Sequence, residues 1–287
     1  MFFVIERTKK VLEELMRQMF SDPVKIETFQ RKEGNFKSPQ EAETDPSAWR
    51  EYRTGDKWGG RDAHAWFRTT LRIPDALGGR IAVIRLQTGA TGWDATNPQL
   101  ILYVNGELIQ GIDVNHTEVI LEHSAAAGTT YQIDLHAYSG MVEGRNDLSV
   151  TLAALNEKVK DLWFDLRVPM QIAELLDEND KNRVDILNAL NGAINLLDLR
   201  KPGSGEFQES VDQALEYLQT EFYEKKCGHE DVIATCVGHT HIDVAWLWTL
   251  AQTREKTARS FSTVLKLMEE YPDYILMSSQ PQPYQFL

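Results

Sequence analysis

Residues 232–248 read VIATCVGHTHIDVAWLW, an apolar run that leads into a cluster of histidine, aspartate and tryptophan. A run nearly free of polar side chains is typical of a strand covered on both faces, as in parallel sheets. A long helical pattern over 244–271 and a second apolar run at 274–277 follow it. Strand, helix and strand form a βαβ unit. This stretch therefore predicts the opening of an α/β catalytic domain.

The rest of the chain divides by hydrophobic periodicity, so we predict a multidomain protein. Residues 1–21 space apolar side chains three and four apart, which predicts an amphipathic N-terminal helix. Short β runs separated by turn signals over 22–158 predict an antiparallel β-sandwich. Helical periodicity over 159–228 predicts a helical connector, and residues 229–287 are predicted to begin the catalytic α/β domain. The expected sandwich strands are 66–73, 81–86, 100–104, 118–121, 131–138 and 148–155.

Two parallel strands are too few to close an α/β barrel or to cover both faces of a sheet. We therefore expect the barrel to be incomplete within this sequence. On this interpretation the 287 residues are the N-terminal fragment of a larger enzyme.

The net charge restricts the kinds of partner that the protein is expected to bind. There are 43 Asp plus Glu against 30 Lys plus Arg, a net charge of −13. Such a surface repels phosphate backbones and anionic membranes, so we expect no nucleic acid and no membrane as partner. The start of the chain lacks the basic and apolar regions of a secretion signal. The sequence predicts a cytoplasmic protein and leaves a homo-oligomer open.

Two cysteines, Cys227 and Cys236, are too few for a disulfide framework. Each has a histidine nearby, but the spacing does not fit a structural zinc knuckle. We expect both to be buried, reduced thiols.

His239, His241 and Asp243 alternate along the end of the predicted first strand. Because alternate residues of a strand point the same way, their side chains can project into one space. Ligands gather at the carboxyl ends of strands in α/β folds, and imidazole and carboxylate are suitable zinc ligands. The cluster predicts a divalent metal site, whereas isolated histidines predict ordinary hydrogen-bonded roles. These are His64, His116, His123, His136 and His229.

Trp246 follows Asp243 by three residues and can form a wall of the same pocket. A flat indole face is a good platform for the C–H face of a sugar ring.

The spacing of the histidines and the aspartate leaves other chemistry open. A metallo-β-lactamase-like hydrolase would need a histidine where Val244 stands, whereas an amidohydrolase-like enzyme could use the pattern as it is. A carbohydrate-binding sandwich is the non-enzymatic alternative.

Two segments, VGHTHIDVAWLW at 237–248 and SSQPQPY at 278–284, resemble the start of the catalytic domain of glycoside hydrolase family 38 α-mannosidases. Three more resemble the N-terminal sandwich of the cytosolic and bacterial branch of that family. They are GDKWGG at 55–60, YVNG at 103–106 and GIDVNH at 111–116. The resemblance spans most of the chain, and its most specific part is the His-x-Asp-x-x-Trp block.

The resemblance implies a zinc ion held by His241 and Asp243, with Trp246 stacked on mannose in the cleavage subsite. His239 is not a ligand in that family, so alternation overcounts the ligands by one. The implied reaction is retaining hydrolysis of terminal α-mannosides in mannose-containing oligosaccharides. A nucleophilic aspartate that also binds zinc, a further histidine ligand and the acid/base carboxylate are expected beyond Leu287. The fragment alone is therefore expected to be inactive.

Overall fold

The computed structural model describes residues 3–90, 98–141, 143–229 and 231–287. The strands are β1 (Phe20–Ile26), β2 (Thr28–Glu33), β3 (Arg50–Arg53), β4 (His64–Arg72), β5 (Ile81–Gln87), β6 (Gln99–Val104), β7 (Glu107–Ile112), β8 (Glu118–Glu122), β9 (Thr130–Tyr138), β10 (Ser149–Leu155), β11 (Gly238–His239) and β12 (Leu276–Met277). The helices are α1 (Val4–Gln18), α2 (Pro39–Ala42), α3 (Glu157–Leu175), α4 (Lys181–Leu196), α5 (Gly205–Tyr217), α6 (Glu224–Lys226), α7 (Leu250–Glu270) and α8 (Pro281–Phe286). Within these ranges, no helix has the length and apolar character to cross a bilayer.

Two sheets make up the predicted sandwich, which is confirmed. One has six strands in the order β3-β2-β4-β9-β6-β7, and its neighbours are antiparallel throughout. The other has four strands in the order β1-β10-β5-β8. Alternation along β4 sends Phe67 to one face, where it packs edge-to-face on Trp58 and Tyr52. The neighbouring Trp66 belongs to the opposite face of the same sheet, which is also buried.

Strands β1, β2, β3 and β7 have no counterpart among the expected strands. Their alternation is weak, because β2 buries only Phe29 and Lys32, and β3 buries only Tyr52. Strand β7 follows the Asn105-Gly106 turn and pairs antiparallel with β6. The Asn105-Gly106 turn signal indicates a hairpin here. The mixed sequence of β7, ELIQGI, does not itself show the pattern of a strand.

The chain divides into two compact units, one of Met1–Ser21 with Ala154–Ala234 and the other of Asp22–Ala153 with Thr235–Leu287. In the first unit α1, α3, α4 and α5 pack together around fully buried apolar side chains. Polar side chains begin the helices: Asn156 accepts a hydrogen bond from Val159 N–H, and Ser204 accepts one from Phe207 N–H.

The prediction of a buried strand over 232–237 is wrong. These residues form no strand, and Val232 and Ile233 are 84% and 89% exposed. In this part of the chain β11 pairs in parallel with β12, over two residues of each strand. An apolar run becomes a covered strand only where strands flank it and helices lie on both faces. Among the described residues, β11 and β12 form a two-stranded sheet with two residues in each strand, so no barrel is seen.

Two smaller expectations also fail in this part of the chain. Both cysteines are free, but Cys236 is exposed and Cys227 is half-buried, so the expectation that they are buried is wrong. Helix α7 begins at Leu250 rather than Val244, because Thr249 caps it and the preceding residues are held in a loop.

Helix α7 covers the outer face of the six-stranded sheet, the face that bears Trp66. Ala258 packs against a buried cluster that includes Trp66 and Tyr103. Further along the helix, Thr263 Oγ1 donates to the carbonyl oxygen of Gly111 on β7 at 3.3 Å. The sheet is thus buried on both faces, by the second sheet and by α7.

Gly111 is where α7 and β7 approach most closely, and its substitution tests this packing. A Cβ added there would lie 2.8 Å from both the Cβ and the carbonyl oxygen of Arg259, closer than real contacts allow. We expect Gly111→Ala to lower the free energy of unfolding by about 1–3 kcal/mol, measured by urea denaturation. Gly144→Ala is the control, because nothing lies within 4 Å of that Cβ. Equal stability of the two variants would contradict the close approach.

Candidate active site

The His-x-Asp pair lies in the loop between β11 and α7. His241 Nε2 and Asp243 Oδ1 are 3.0 Å apart, and the two side chains are 58% and 45% exposed. Ile242 between them is buried. The imidazole and the carboxylate therefore share the accessible side of the loop, while the apolar residue anchors its other side.

Side-chain hydrogen bonds to the backbone fix this loop. Ile242 N–H donates to Gln280 Oε1 at 3.0 Å, which ties the loop to the SSQPQPY segment. The indole N–H of Trp248 donates to the carbonyl oxygen of Asp243 at 3.1 Å. Both bonds hold backbone atoms within one residue of the His-x-Asp pair, so they set the direction of its side chains.

The start of α7 holds the second half of the loop. Thr249 and Gln252 form a capping box, in which each side chain accepts a hydrogen bond from the backbone N–H of the other. Ala245, whose φ of 58° is left-handed, donates its N–H to Thr253 Oγ1 at 3.1 Å. The unusual conformation of Ala245 is thus stabilised by the helix that follows.

A cavity of about 470 Å³ lies beside the loop. His239, His241 and Trp246 line it from the loop, and Asp113 and His116 line it from the turn after β7. The Trp246 indole is 65% exposed. The predicted metal-binding histidine and the predicted sugar platform therefore face one space.

His239 has a separate partner. Its Nε2 lies 3.2 Å from Ser279 Oγ, whereas the contact between His241 and Asp243 does not involve it. This arrangement agrees with a metal pair of His241 and Asp243 without His239.

Sequence reasoning gave Asp113 and His116 no role in a site. Asp113 Oδ1 accepts hydrogen bonds from the backbone N–H groups of Asn115 and His116 and contacts His116 Nδ1 at 3.0 Å. That hydrogen bond raises the pKa of His116. Burial alone would raise the pKa of Asp113, but the hydrogen bonds and the charge of His116 lower it below its usual value. The motif GIDVNH was the available signal, and it carried no indication of a cavity.

The geometry of His241 and Asp243 suits half of a zinc site. Ligand atoms about 2.0–2.1 Å from a tetrahedral zinc ion lie roughly 3.4 Å from one another. The observed separation of 3.0 Å between Nε2 and Oδ1 is close to that value. Imidazole nitrogen and carboxylate oxygen are also ordinary zinc donors. The pair could hold two of four coordination positions.

Within the described ranges, three metal-binding side chains converge at a different place. One ring nitrogen each of His64 and His136 and one carboxylate oxygen of Glu255 lie within 4.8 Å of one another. Sequence reasoning gave these histidines ordinary hydrogen-bonded roles. They are far apart in the chain, and only the register of β4 with β9 places them side by side.

Family comparisons cover both parts of this second unit. Residues 231–287 match the glycosyl hydrolases family 38 N-terminal domain, and residues 23–151 match the jelly roll domain of alpha-mannosidase.

Curated relatives extend this similarity over most of the chain. Alpha-mannosidase 2C1 of Mus musculus is 26% identical over 254 residues, which is 82% of this chain and 23% of that protein. Alpha-mannosidase G of Dictyostelium discoideum is 23% identical over 288 residues, which is 93% of this chain and 25% of that protein. The chain thus spans about a quarter of the length of these relatives. Among solved structures, a β-glucuronidase from Ruminococcus gnavus matches at 11% identity and a TM-score of 0.36, over 47% of this chain and 30% of that one.

The interaction of Asp113 with His116 predicts a pH-dependent contribution to stability. The raised pKa of His116 stabilises the fold below its ordinary value of 6.5, and this is lost as pH rises through the folded pKa. The lowered pKa of Asp113 stabilises above 3.8 and is lost as pH falls through its folded pKa. We expect Asp113→Asn to cost about 0.5–1 kcal/mol at pH 6 and less at pH 9, measured by urea denaturation at both pH values.

Histidine NMR titration gives an independent reading of the same interaction. In Asp113→Asn the pKa of His116 is expected to fall towards 6.5. Asp75→Asn, a substitution of an exposed aspartate elsewhere in the same unit, should leave the pKa of His116 unchanged. An unchanged His116 pKa in Asp113→Asn would contradict the assignment.

Proposed function

Since residues 231–287 and 23–151 match a glycosyl hydrolases family 38 domain and an alpha-mannosidase jelly roll domain, we propose that the protein carrying this chain is a zinc-dependent, retaining α-mannosidase of glycoside hydrolase family 38. Its substrates would be oligosaccharides with terminal α-mannose, and its location the cytoplasm. The observation that carries the proposal is the placement of His241 and Asp243, 3.0 Å apart, beside a cavity lined by the exposed indole of Trp246.

His241 and Asp243 would hold the zinc ion, which supplies positive charge that orients sugar hydroxyls and offsets negative charge near the nucleophile. The two residues contribute position, because hydrogen bonds from Ile242 N–H and to the carbonyl oxygen of Asp243 fix the loop that bears them. Groups held in this way need little rearrangement when substrate binds.

Trp246 would orient the sugar. Trp246 is 65% exposed, lines the cavity and packs edge-to-face on Trp248, with ring centroids 5.5 Å apart. A mannose ring stacked there would lose water from its C–H face. Asp113 and His116 supply polar groups on another part of the wall, which suit sugar hydroxyls.

Retaining hydrolysis needs two carboxylates about 5–5.5 Å apart, one as nucleophile and one as acid/base. In the described part of the chain, Asp113 is the carboxylate that lines the cavity, and His116 and two backbone N–H groups already engage it. We therefore expect the 287-residue chain alone to release nothing detectable from an aryl α-mannoside. Measurable turnover would show that this part of the chain provides both carboxylates.

Zinc binding can be tested on the complete gene product by elemental analysis after dialysis. Because His241 and Asp243 are the proposed ligands, His241→Ala and Asp243→Asn should each lower bound zinc by about one equivalent per chain. His239→Ala is the matched control and should retain the metal, since its ring contacts Ser279. Loss of zinc in His239→Ala, with retention in Asp243→Asn, would reverse the assignment.

The role of Trp246 can be tested by kinetics on the complete gene product. Without the stacking face, Trp246→Ala should lower kcat/KM for an aryl α-mannoside about 10- to 100-fold. Leu247→Ala is the control, because Leu247 is 68% exposed and does not line the cavity. A substrate panel decides the reaction class, and metal-dependent hydrolysis of amides without action on mannosides would overturn the proposal.

A further inference from the structure

Three side chains that sequence reasoning did not connect meet between the six-stranded sheet and helix α7. His64 opens β4, His136 lies on the adjacent strand β9, and Glu255 comes from α7. His64 Nε2 lies 3.1 and 3.2 Å from the two carboxylate oxygens of Glu255. One donor atom from each of the three residues falls within 4.8 Å of the others. We refer to these residues as the His-His-Glu cluster.

His136 is the member whose polar atoms lack a full set of partners. It is 6% exposed, and its Nε2 is buried without a hydrogen-bond partner in the described part of the chain. A buried polar atom left in this state costs about 1–3 kcal/mol. An unpartnered imidazole nitrogen beside a carboxylate is what a metal-binding site presents before its ion is bound.

The rings around His136 hold it in place. Its imidazole stacks on the Trp66 indole with centroids 4.8 Å apart and an interplanar angle of 7°. The His64 ring also stacks on the His136 ring, with centroids 5.3 Å apart and an interplanar angle of 25°. Asn35 Nδ2 donates to Glu255 Oε1 at 3.1 Å and so orients the carboxylate. Partners that orient ligands in this way are typical of metal sites.

Burial and nearby charges both act on the side chains of the His-His-Glu cluster. Burial lowers the pKa of His136 to about 4. Burial alone would raise the pKa of Glu255, but the hydrogen bond with His64 lowers it. Arg259 opposes a cation by its charge, and its guanidinium donates to Gln99 Oε1.

Two imidazole nitrogens and one carboxylate oxygen select the class of ion. Calcium and magnesium prefer oxygen ligands, whereas zinc and similar first-row divalent ions accept imidazole. Donor atoms within 4.8 Å of one another need to move together by about an ångström to reach the roughly 3.4 Å spacing around zinc. Three protein ligands leave a fourth position for water.

We propose that His64, His136 and Glu255 bind a zinc-like divalent cation that fastens helix α7 to strands β4 and β9 of the jelly roll. The ion replaces a direct contact between His64 and Glu255 with two coordinate bonds and adds a ligand, His136, that otherwise has an unsatisfied nitrogen. Its role is structural, because it joins two strands of the sheet to the helix that begins directly after the His-x-Asp loop.

The test uses the 287-residue chain in a His241→Ala/Asp243→Ala background, so that the other candidate pair contributes nothing. After treatment with a chelator and dialysis, zinc chloride is titrated by calorimetry and bound metal is counted by elemental analysis. We expect one equivalent of zinc. At a hundredfold excess over Kd, zinc should raise the unfolding midpoint by roughly 5–10 °C. Cobalt(II) in its place should give the visible absorption of a four-coordinate N/O site.

Glu255→Gln added to that background should weaken zinc binding at least tenfold and abolish the thermal shift. Glutamine keeps the size of the side chain and an oxygen that accepts hydrogen bonds, and folding is checked by circular dichroism. His136→Ala should act in the same direction. The matched controls are Glu269→Gln, an exposed position on the same helix, and His123→Ala, an exposed histidine, which should bind zinc as the background does.

Two results would overturn the proposal. The first is no zinc binding in the His241→Ala/Asp243→Ala background, which would identify the His-His-Glu cluster as an ion pair and stacked rings without a metal. The second is unchanged zinc binding in a folded Glu255→Gln variant. Neither result depends on mannosidase activity, so failure here is separable from failure of the proposed function.

Discussion

The packing of α7 on the six-stranded sheet is unusual in being made largely by polar side chains, and the candidate site depends on it. Gln252 donates to Asp62 at 2.9 Å, Glu255 pairs with His64, and Arg259 donates to Gln99. These helix residues are three and four apart, so they form one stripe on the face towards the sheet. The stripe meets a sheet face that bears His64 and His136 together with Trp66 and Tyr103.

A polar interface of this kind fixes the helix more tightly than an apolar one would. An apolar stripe tolerates sliding, because any apolar neighbour serves nearly as well as another. Here a shift of α7 by one turn would leave Glu255 and Arg259 partly buried without their partners, and each unpaired group costs energy comparable to several hydrogen bonds. The position of the helix along the sheet is therefore specified by a few pairings, with Gly111 allowing the close approach.

The sequence predicted the parts of this structure that local pattern controls. Runs of β-forming residues between turn signals identified strands β4, β5, β6, β8, β9 and β10, and the His-x-Asp-x-x-Trp block identified the loop that bears His241 and Asp243. It failed where distant elements decide the outcome. The run at 232–237 reads as a covered strand, yet the described residues offer it no cover, and it is exposed. Periodicity describes what a segment could bury, whereas burial also requires a neighbour.

The outer face of the six-stranded sheet gives a second example, in which the sequence does not reveal a contact that the fold creates. His64 and His136 read as isolated histidines, because 72 positions separate them in the sequence. Their proximity follows from the antiparallel register, in which Trp66 lies opposite His136 and His64 lies opposite Tyr138. Glu255 joins them only because α7 covers this face. A cluster of three residues from two strands and a distant helix leaves no recognisable spacing in the sequence. His241 and Asp243, by contrast, are close neighbours in one loop.

The two sets of residues are nevertheless linked through α7. Glu255 lies six positions after Thr249, the cap of the helix, which is about 9 Å along the helix axis. Thr253 lies between them and holds the left-handed Ala245 of the loop by a hydrogen bond of 3.1 Å. A helix segment this short behaves as a rigid rod, so the contacts of Glu255 with the sheet also set where Thr253 sits. The position of the loop that bears His241 and Asp243 therefore depends on the contacts of α7 with the sandwich, which gives the N-terminal jelly roll a physical reason to accompany this loop.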